Sequence, residues 1–305
     1  MKKISIIITT YNSENCIQRT LDSIYAQEGI GELFEVELLV VDDCSSDKTV
    51  KILKRNKISY LSTSKNSGGP NKGRNIALNA STGDFICIVD HDDAWTKSKV
   101  ASQLKHLDKV PIVSCGFTLI DSEKNKTISR VSKRKIQDKN YNYYPENQTF
   151  ITKLIKSYSG QNTYIGGIMY RSELKDVLFE EEYGAVDFDW VLRLFHKKDS
   201  IEVCESLYNR FVDENNLSMN EDYRKKDYDY SLKSIQAYRS EYKKEVRFSG
   251  KKINGSMARY YYQIDNMKMA RKYFLRSNVT LKTILYFLTT FAGASLVRKK
   301  FNVFG

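Results

Sequence analysis

The stretch FICIVDHDDAW, from Phe85 to Trp95, joins five residues typical of a buried strand directly to the acidic cluster Asp90–Asp93. Three carboxylates held this close repel one another, so the cluster predicts a bound positive charge. Mg²⁺ and Mn²⁺ prefer oxygen ligands, and one or two carboxylates often hold them together with substrate phosphates. The stretch therefore predicts a divalent cation that carries a diphosphate. A solvated turn with helix-capping acids is the alternative interpretation.

The first hundred residues alternate continuous apolar strands with helical segments. Strands are predicted at Ile4–Thr9, Phe34–Val41, Ile58–Leu61 and Phe85–Val89, with helices at 13–24, Thr49–Lys54 and Asn71–Ala80 between them. This alternation is typical of an α/β fold, with a parallel sheet covered by helices on both faces.

Polar residues follow three of these strands. They are Thr10-Tyr-Asn12 after the first strand, Asp42-Asp43 after the second and the acidic cluster after the fourth. Ligands of such sheets bind beyond the carboxyl ends of the strands. The three polar segments are therefore predicted to line one crevice.

The rest of the chain carries weaker signals. Further strands are predicted at Ile112–Ile120 and Ile201–Tyr208, and a helix at Ala185–Phe195 that opens with two acids. Residues 122–148 are basic and polar, which favours a mobile loop. From about residue 219 the pattern becomes helical and strongly charged.

Composition limits the class of protein and its partners. The 305 residues carry a formal net charge of +12, which indicates an anionic partner. Nucleic acid is not the predicted one, because the acids converge where its phosphates would lie. Five cysteines without a C-x-x-C pair favour a reducing cytosol. The apolar run at Ile4–Ile8 suits a first strand better than a signal peptide, and no segment holds the ~20 apolar residues that span a bilayer.

Other nucleotide-binding classes fit the motifs poorly. The glycine-rich segment 68–73 places Gly73 after Lys72, where a phosphate-binding P-loop needs Ser or Thr. No G-x-G-x-x-G follows the first strand, which argues against a dinucleotide-dependent oxidoreductase. A receiver-type signalling domain would be about half this length.

The C-terminal tail is amphipathic over about residues 281–300. One helical face carries the apolar stripe, defined as Leu281, Ile284, Leu285, Leu288, Phe291, Ala292 and Leu296. Residues 266–305 hold eight Lys or Arg and no Asp or Glu. The tail predicts either a helix lying on an anionic membrane surface or a helix that packs on the main domain.

The motifs taken in order resemble family 2 glycosyltransferases of the GT-A fold. They are residues 5–12 (SIIITTYN), 40–47 (VVDDCSSD), 73–78 (GRNIAL) with Gly83-Asp84, 90–95 (DHDDAW), 186–193 (VDFDWVLR) and 207–218 (LYNRFVDENNLS). The resemblance covers about residues 1–218. It implies a GT-A catalytic domain at 1–218, followed by a helical extension at 219–305.

For the donor, the resemblance implies a binding site at the strand ends. Tyr11 would stack on the base of a nucleotide-diphosphate sugar, a UDP-sugar being the expected donor, with Thr9 nearby. Asp43 would accept a hydrogen bond from the base edge, and Arg74 would lie near the nucleotide.

For the chemistry, the resemblance implies a metal and a base. Asp92 would ligate Mn²⁺ or Mg²⁺, while Asp90 and His91 would face the ribose and the diphosphate, with Asp90 as a second candidate metal ligand. Asp187 would be the general base at the start of its helix, with Asp189 as its rival. Trp95 would either wall the sugar pocket or anchor the helix that follows it.

The expected activity is inverting, metal-dependent transfer of a sugar to a hydroxyl group of a cell-surface glycan or its lipid-linked precursor. The expected place is the cytosol, at the inner face of the cell membrane. Two positions depart from the family pattern, namely Val186, where Glu is usual, and Asp213, where His is common. They favour the alternative function, a catalytically inactive protein that binds nucleotide sugar or glycan and assists a partner.

Overall fold

A computed structural model describes residues 1–121, 125–157, 159–182, 187–212 and 221–292. Within these ranges the chain forms ten β-strands and ten α-helices. By their contacts the described residues fall into two compact units. The first comprises those of Met1–Phe150 and Ser159–Asn216, and the second those of Ile151–Tyr158 and Leu217–Gly305.

The first unit is built on one mixed sheet. Its strands are β1 (Lys2–Thr10), β2 (Phe34–Asp42), β3 (Tyr60–Ser62), β4 (Phe85–Asp90), β5 (Ala94–Trp95), β6 (Ile112–Asp121), β7 (Lys126–Arg130), β8 (Tyr141–Tyr144), β9 (Met169–Arg171) and β10 (Ser200–Val212). Their order is β3-β2-β1-β4-β9-β6-β10-β5, with β7 paired to β6 and β8 to β10. The first four strands run parallel, as do β6 and β10, while β9 lies antiparallel between these two groups.

Helices cover this sheet in the manner that its apolar strands predict. They are α1 (Ile17–Tyr25), α2 (Thr49–Arg55), α3 (Asn71–Ala80), α4 (Lys99–Leu104) and α6 (Asp187–Phe195). A further helix, α5 (Gln148–Leu154), begins in this unit and ends in the second. All residues of β1 from Ile4 to Thr10 are buried, so both of its faces are covered. The core joins alternate residues of β1 to the apolar face of α1, and this packing buries that face of the helix.

The prediction of a mobile loop at 122–148 is wrong for the residues described there. That segment contains β7, β8 and the start of α5. The buried Glu202 of β10 holds it, because the carboxylate accepts hydrogen bonds from the hydroxyls of Ser132 and Tyr144, each at 2.8 Å. A basic surface can therefore hide an ordered segment whose anchor lies 58 to 70 residues later in the chain.

The second unit is helical in its described part. It contains α7 (Glu221–Gln236), α8 (Lys243–Gln263), α9 (Met267–Phe274) and α10 (Leu281–Thr289). Its core is aromatic, with Tyr262 and Phe274 both in contact with Tyr286 of α10. Throughout the described ranges, every helix is too short or too polar to cross a membrane.

Candidate active site

Three strand ends meet at one edge of the sheet, as the sequence predicts. The pairing register sets Thr10 opposite Asp42 and Thr9 opposite Asp90. The polar residues after β1, β2 and β4 therefore start from adjacent positions. Tyr11, just beyond β1, keeps 45% of its surface exposed, so its ring is accessible to a ligand.

Helix α1 fixes the backbone of the acidic cluster. Arg19 donates from its Nη2 to the carbonyl oxygen of Asp92 at 2.5 Å. The Thr20 hydroxyl lies 2.7 Å from the carbonyl oxygens of both His91 and Asp93. The His91 ring turns back toward β1, with Nδ1 3.1 Å from the Thr9 carbonyl oxygen. These contacts leave the loop little freedom to respond to repulsion between its carboxylates.

Asp93 is the buried anchor of the cluster. Its carboxylate accepts hydrogen bonds from the Tyr208 hydroxyl at 2.7 Å and from the Phe211 backbone N–H at 2.9 Å, and is 1% exposed. Burial, followed by the carboxylates of Asp90 and Asp92, raises its pKa to about 8. Asp93 thus ties the acidic loop to the end of β10.

Tyr164 joins Asp93 to Asp90. Its hydroxyl oxygen lies 3.1 Å from a carboxylate oxygen of each. A tyrosine hydroxyl has one proton to donate, so it can serve only one of the two acids at a time.

Arg74 links Asp90 of the acidic cluster to Asp187, the predicted general base. The guanidinium is 3% exposed and donates from Nη2 to Asp90 at 2.9 Å and from Nη1 to Asp187 at 3.2 Å. Burial by itself lowers the pKa of Arg74, but the two carboxylates outweigh it and raise that pKa. The residues predicted for the nucleotide, the diphosphate and the base are thus brought together at one buried cation.

Asp92 is in a different position from its neighbours. Its carboxylate accepts no hydrogen bond from another residue of the described chain, and its pKa is raised by burial and by Asp90, against the opposing effect of His91 and Arg210. Asp90, in contrast, has one oxygen near Arg74 and the other near Tyr164. The least compensated negative charge of the cluster is therefore at Asp92.

Asp43 organises a loop beside the strand ends. Its buried carboxylate accepts hydrogen bonds from the Thr63 hydroxyl at 2.6 Å and from the backbone N–H and hydroxyl of Ser67, both at 2.9 Å. The neighbouring Asp42 accepts from Ser45, as expected for a turn-forming acid.

The two acids at the start of α6 differ in accessibility. The Asp187 side chain is 42% exposed, whereas that of Asp189 is 10% exposed and accepts from Arg193 Nε at 2.7 Å. Asp189 therefore has its own partner one turn along the same helix. Val186 and Asp213, the two departures from the family pattern, lie outside the described residues.

Sequence reasoning missed the residues that position the acids. Tyr164 lies just before a 3₁₀ turn at Ile165–Gly167, Tyr208 lies on β10, and Arg19 and Thr20 lie on α1. The sequence does show the pair Gly166-Gly167, and the structure gives a reason for the first glycine, because a Cβ there would lie 2.1 Å from Cζ of the Tyr208 ring. A glycine at that position allows the ring to approach the backbone closely.

A family model described as "Glycosyl transferase family 2" matches residues 5–178, which is more than half of the chain. The chain belongs to this family. It is therefore counted among the family 2 glycosyltransferases, the family that its motifs resemble.

Named relatives match about a third of this chain. TarS of Staphylococcus aureus, a poly(ribitol-phosphate) beta-N-acetylglucosaminyltransferase, is 43% identical over 115 residues, which are 36% of this chain and 19% of TarS. The Escherichia coli protein WfaP, a UDP-Glc:alpha-D-GlcNAc-diphosphoundecaprenol beta-1,3-glucosyltransferase, is 32% identical over 110 residues, which are 35% of this chain and 42% of WfaP. The matched part thus spans less than half of either relative.

A solved structure extends the likeness to nearly the whole chain. The crystal structure of S. aureus TarS 1-349 in complex with UDP-GlcNAc superimposes with a TM-score of 0.61 at 22% identity, covering 94% of this chain and 79% of that chain. This likeness shows the fold. The glycosyltransferase therefore has the GT-A fold that its sequence predicts, with helices at the C-terminal side.

Proposed function

We propose that this glycosyltransferase moves a sugar, with inversion, from a UDP-sugar to a hydroxyl group of a surface glycan or its lipid-linked precursor, using Mn²⁺ or Mg²⁺. The proposed place is the inner face of the cell membrane, where such precursors are met. One observation carries the proposal, namely that Arg74 joins Asp90 of the acidic cluster to Asp187. One guanidinium thus joins the acids proposed for the sugar donor to an accessible carboxylate proposed for the acceptor hydroxyl.

The carboxylate oxygens of the acidic cluster fit a divalent cation that also binds the diphosphate of the substrate. Asp92 has an under-compensated carboxylate, and Asp90 adjoins it as a second oxygen donor. The described residues form no group of three or more His, Cys, Asp or Glu side chains that could hold a metal by themselves. Such a group is not required where one or two carboxylates hold the ion and substrate phosphates complete its shell. When bound, the ion supplies Lewis-acid stabilisation of the negative charge that develops on the diphosphate.

The chain itself supplies the base. An acceptor hydroxyl is a poor nucleophile, so a carboxylate must take its proton as the new glycosidic bond forms. Both acids are paired with an arginine, but Asp187 supports this role better because its side chain is 42% exposed, whereas that of Asp189 is 10% exposed. Arg74 holds Oδ1 of Asp187 and so fixes the orientation of that carboxylate.

Direct displacement then gives inversion. The acceptor oxygen attacks the anomeric carbon as the bond to the diphosphate oxygen breaks, and the acceptor proton passes to Asp187. Arg74 and Tyr164 hold Asp90 in place on the diphosphate side throughout. Tyr11 and Asp43, beyond β1 and β2, are the proposed contacts of the uracil base, with Thr9 and His91 lining the path to the diphosphate.

Two relatives support the choice of substrates. The TarS structure named above contains UDP-GlcNAc, and the name of WfaP gives UDP-Glc as its donor and a diphosphoundecaprenol-linked sugar as its acceptor. We therefore propose a uridine nucleotide and a polyprenyl-linked or polymeric acceptor.

Paired variants test the proposal. UDP binding is measured by calorimetry with and without Mn²⁺, and transfer is measured from UDP-GlcNAc and UDP-glucose to a synthetic GlcNAc-diphospholipid and to poly(ribitol phosphate). Asp92→Asn should lose the Mn²⁺-dependent part of UDP binding and all transfer. Asp187→Asn should bind UDP within about twofold of the parent but transfer at least ~100-fold more slowly.

Glu182→Gln is the matched control, since it removes an exposed acid close to α6 in sequence. It should leave binding and transfer unchanged. If Asp187→Asn transfers sugar as fast as the parent, the base assignment is wrong. If the parent binds UDP without any transfer to either acceptor or to water, the inactive alternative is favoured.

A further inference from the structure

The described part of the apolar stripe is exposed. The relative exposures are 74% for Leu281, 44% for Ile284, 54% for Leu285, 58% for Leu288 and 69% for Phe291. Successive helical residues are ~100° apart, so the four of these side chains that lie within α10 occupy a single arc of about 100°, and Phe291 follows just beyond the helix. Leucine, isoleucine and phenylalanine are seldom exposed as a contiguous patch without a partner.

The opposite face of α10 is fixed to its own unit. Tyr286 stacks on Phe274, and Thr289 accepts a hydrogen bond from the Tyr262 hydroxyl at 2.9 Å. Arg271 donates to the Thr290 carbonyl oxygen, also at 2.9 Å. These contacts set the rotation of α10 about its axis, and so the outward direction of the stripe is built into the unit.

Positive charge surrounds the stripe in sequence. Lys268, Lys272, Arg276 and Lys282 are all exposed, and residues 266–305 contain no acid. A second copy of the chain docked through this segment would bring two cationic, acid-free segments together, which disfavours a dimer here. An anionic lipid surface satisfies both the apolar side chains and the cations.

We infer that the stripe of α10 is a membrane-docking surface that binds anionic phospholipid. Leu285 and Leu288 enter the boundary between headgroups and acyl chains, while Lys282 and Arg276 contact the phosphates. The purpose of the docking rests on the proposed function, since docking would bring the active site to a lipid-linked acceptor. The binding itself needs no catalysis.

The test is flotation of the full chain with vesicles. Binding to mixed phosphatidylcholine and phosphatidylglycerol should exceed binding to phosphatidylcholine alone by about tenfold or more, and should weaken as salt is raised. The double variant Leu285→Glu, Leu288→Glu should bind at least ~30-fold more weakly, because two apolar anchors are replaced by acids. Leu285→Ser with Leu288→Ser should weaken binding to a smaller extent without adding negative charge.

Two exposed leucines of the first unit give the matched control. Leu33→Glu with Leu61→Glu adds the same charge at side chains that are 57% and 43% exposed. This control should bind vesicles almost as well as the parent. Equal loss in the two double variants would overturn the inference, because general charge would then explain the effect.

Other outcomes separate the occupants of the surface. A lipid-free dimer that Leu285→Glu and Leu288→Glu dissociate would show that a second copy covers the stripe and would overturn the inference. A chain that ends at Ala292 should bind more weakly, because it lacks Arg298, Lys299 and Lys300. Stronger binding by the shorter chain would show that residues 293–305 cover the stripe, which would also overturn it.

Failure of docking and failure of the proposed function are distinguishable. Asp92→Asn should float with vesicles like the parent although its transfer is lost. Leu285→Glu with Leu288→Glu should keep Mn²⁺-dependent UDP binding. If the parent binds UDP but no anionic vesicle, only the docking inference is overturned.

Discussion

Replacing His106 by Phe should remove a pH-dependent loss of stability. The imidazole is 4% exposed, and both of its ring nitrogens lack a hydrogen-bond partner within the described chain. Burial, followed by the charges of Lys105 and Lys109, lowers the pKa of His106 from 6.5 to about 4. The folded chain therefore holds this side chain neutral over a range in which the unfolded chain protonates it.

The sign and size follow from proton linkage. The stabilising contribution is complete above pH 6.5 and is lost as pH falls, because the unfolded state binds the proton first. A difference of 2.5 pKa units gives about 2 kcal/mol at pH 5 and about 3 kcal/mol at pH 4 and below. His106→Phe keeps a ring against Tyr141, whose ring centroid lies 4.6 Å from that of His106, and removes the proton site.

The measurement is urea unfolding of parent and variant at several pH values. Both tryptophans of the chain, Trp95 and Trp190, belong to the first unit, so fluorescence reports the unit that contains His106. The parent should lose about 2 kcal/mol relative to the variant between pH 7 and pH 5. His106→Leu should follow His106→Phe. A difference between parent and variant that stays constant over this range would refute the reasoning.

Three further substitutions test other parts of the first unit. Gly166→Ala should lower the free energy of unfolding by about 1–3 kcal/mol, because the added Cβ clashes with the Tyr208 ring. The double variant Gly166→Ala, Tyr208→Ala should lose less than the two single variants lose together, because the clashing ring is gone. Strictly additive losses would contradict this. Glu202→Gln should speed hydrogen exchange in β7 and β8, while Glu205→Gln, with one Asn140 bond, should change exchange little; equal effects would count against the anchor. Burial raises the pKa of Glu37, but hydrogen bonds from Lys3, Ser5 and Thr82 outweigh it and lower that pKa to about 2. Glu37→Gln should therefore remove a stabilisation that is complete above pH 4.5 and is lost toward pH 2. Parallel acid-unfolding curves for parent and variant would rule this out.

The strand pattern carried most of the fold. Continuous apolar runs gave β1, β2, β4 and β6 to within two residues at each end, because these strands lie in the interior of the sheet and apolar residues dominate them. The end of β10 was missed, since Asn209 and Arg210 interrupt the apolar run although they stay in the ladder with β6. Strand β8 was missed for a related reason, because its partners, β10 and the Glu202 carboxylate, lie far from it in sequence. Strand β7 was missed because it is mostly exposed and polar, although it pairs with β6.

The acids of the site were visible in the sequence, and their partners were not. Asp90–Asp93 stand out because three carboxylates follow an apolar strand. Tyr164 and Tyr208 look like ordinary aromatic residues, and only the fold brings their hydroxyls to Asp93. The roles of Thr9, Tyr11, Asp43 and His91 stay predictions, because their contacts with a donor depend on a ligand as well as on the chain.

The partners of each acid identify the place where the site needs a cation. Arg74 is shared by Asp90 and Asp187, so its charge partly offsets two carboxylates. Asp93 accepts two hydrogen bonds from Tyr208 and Phe211 and is sealed from solvent. Asp92 alone among these four has no such donor from another residue of the described chain, although its backbone is fixed by Arg19. Because its backbone is fixed, the loop cannot relieve the repulsion between its carboxylates by moving. A positive charge at the least compensated carboxylate therefore stabilises the loop most. Asp92 is therefore the proposed principal ligand of the ion, while Asp90 keeps Arg74 in place beside the proposed base.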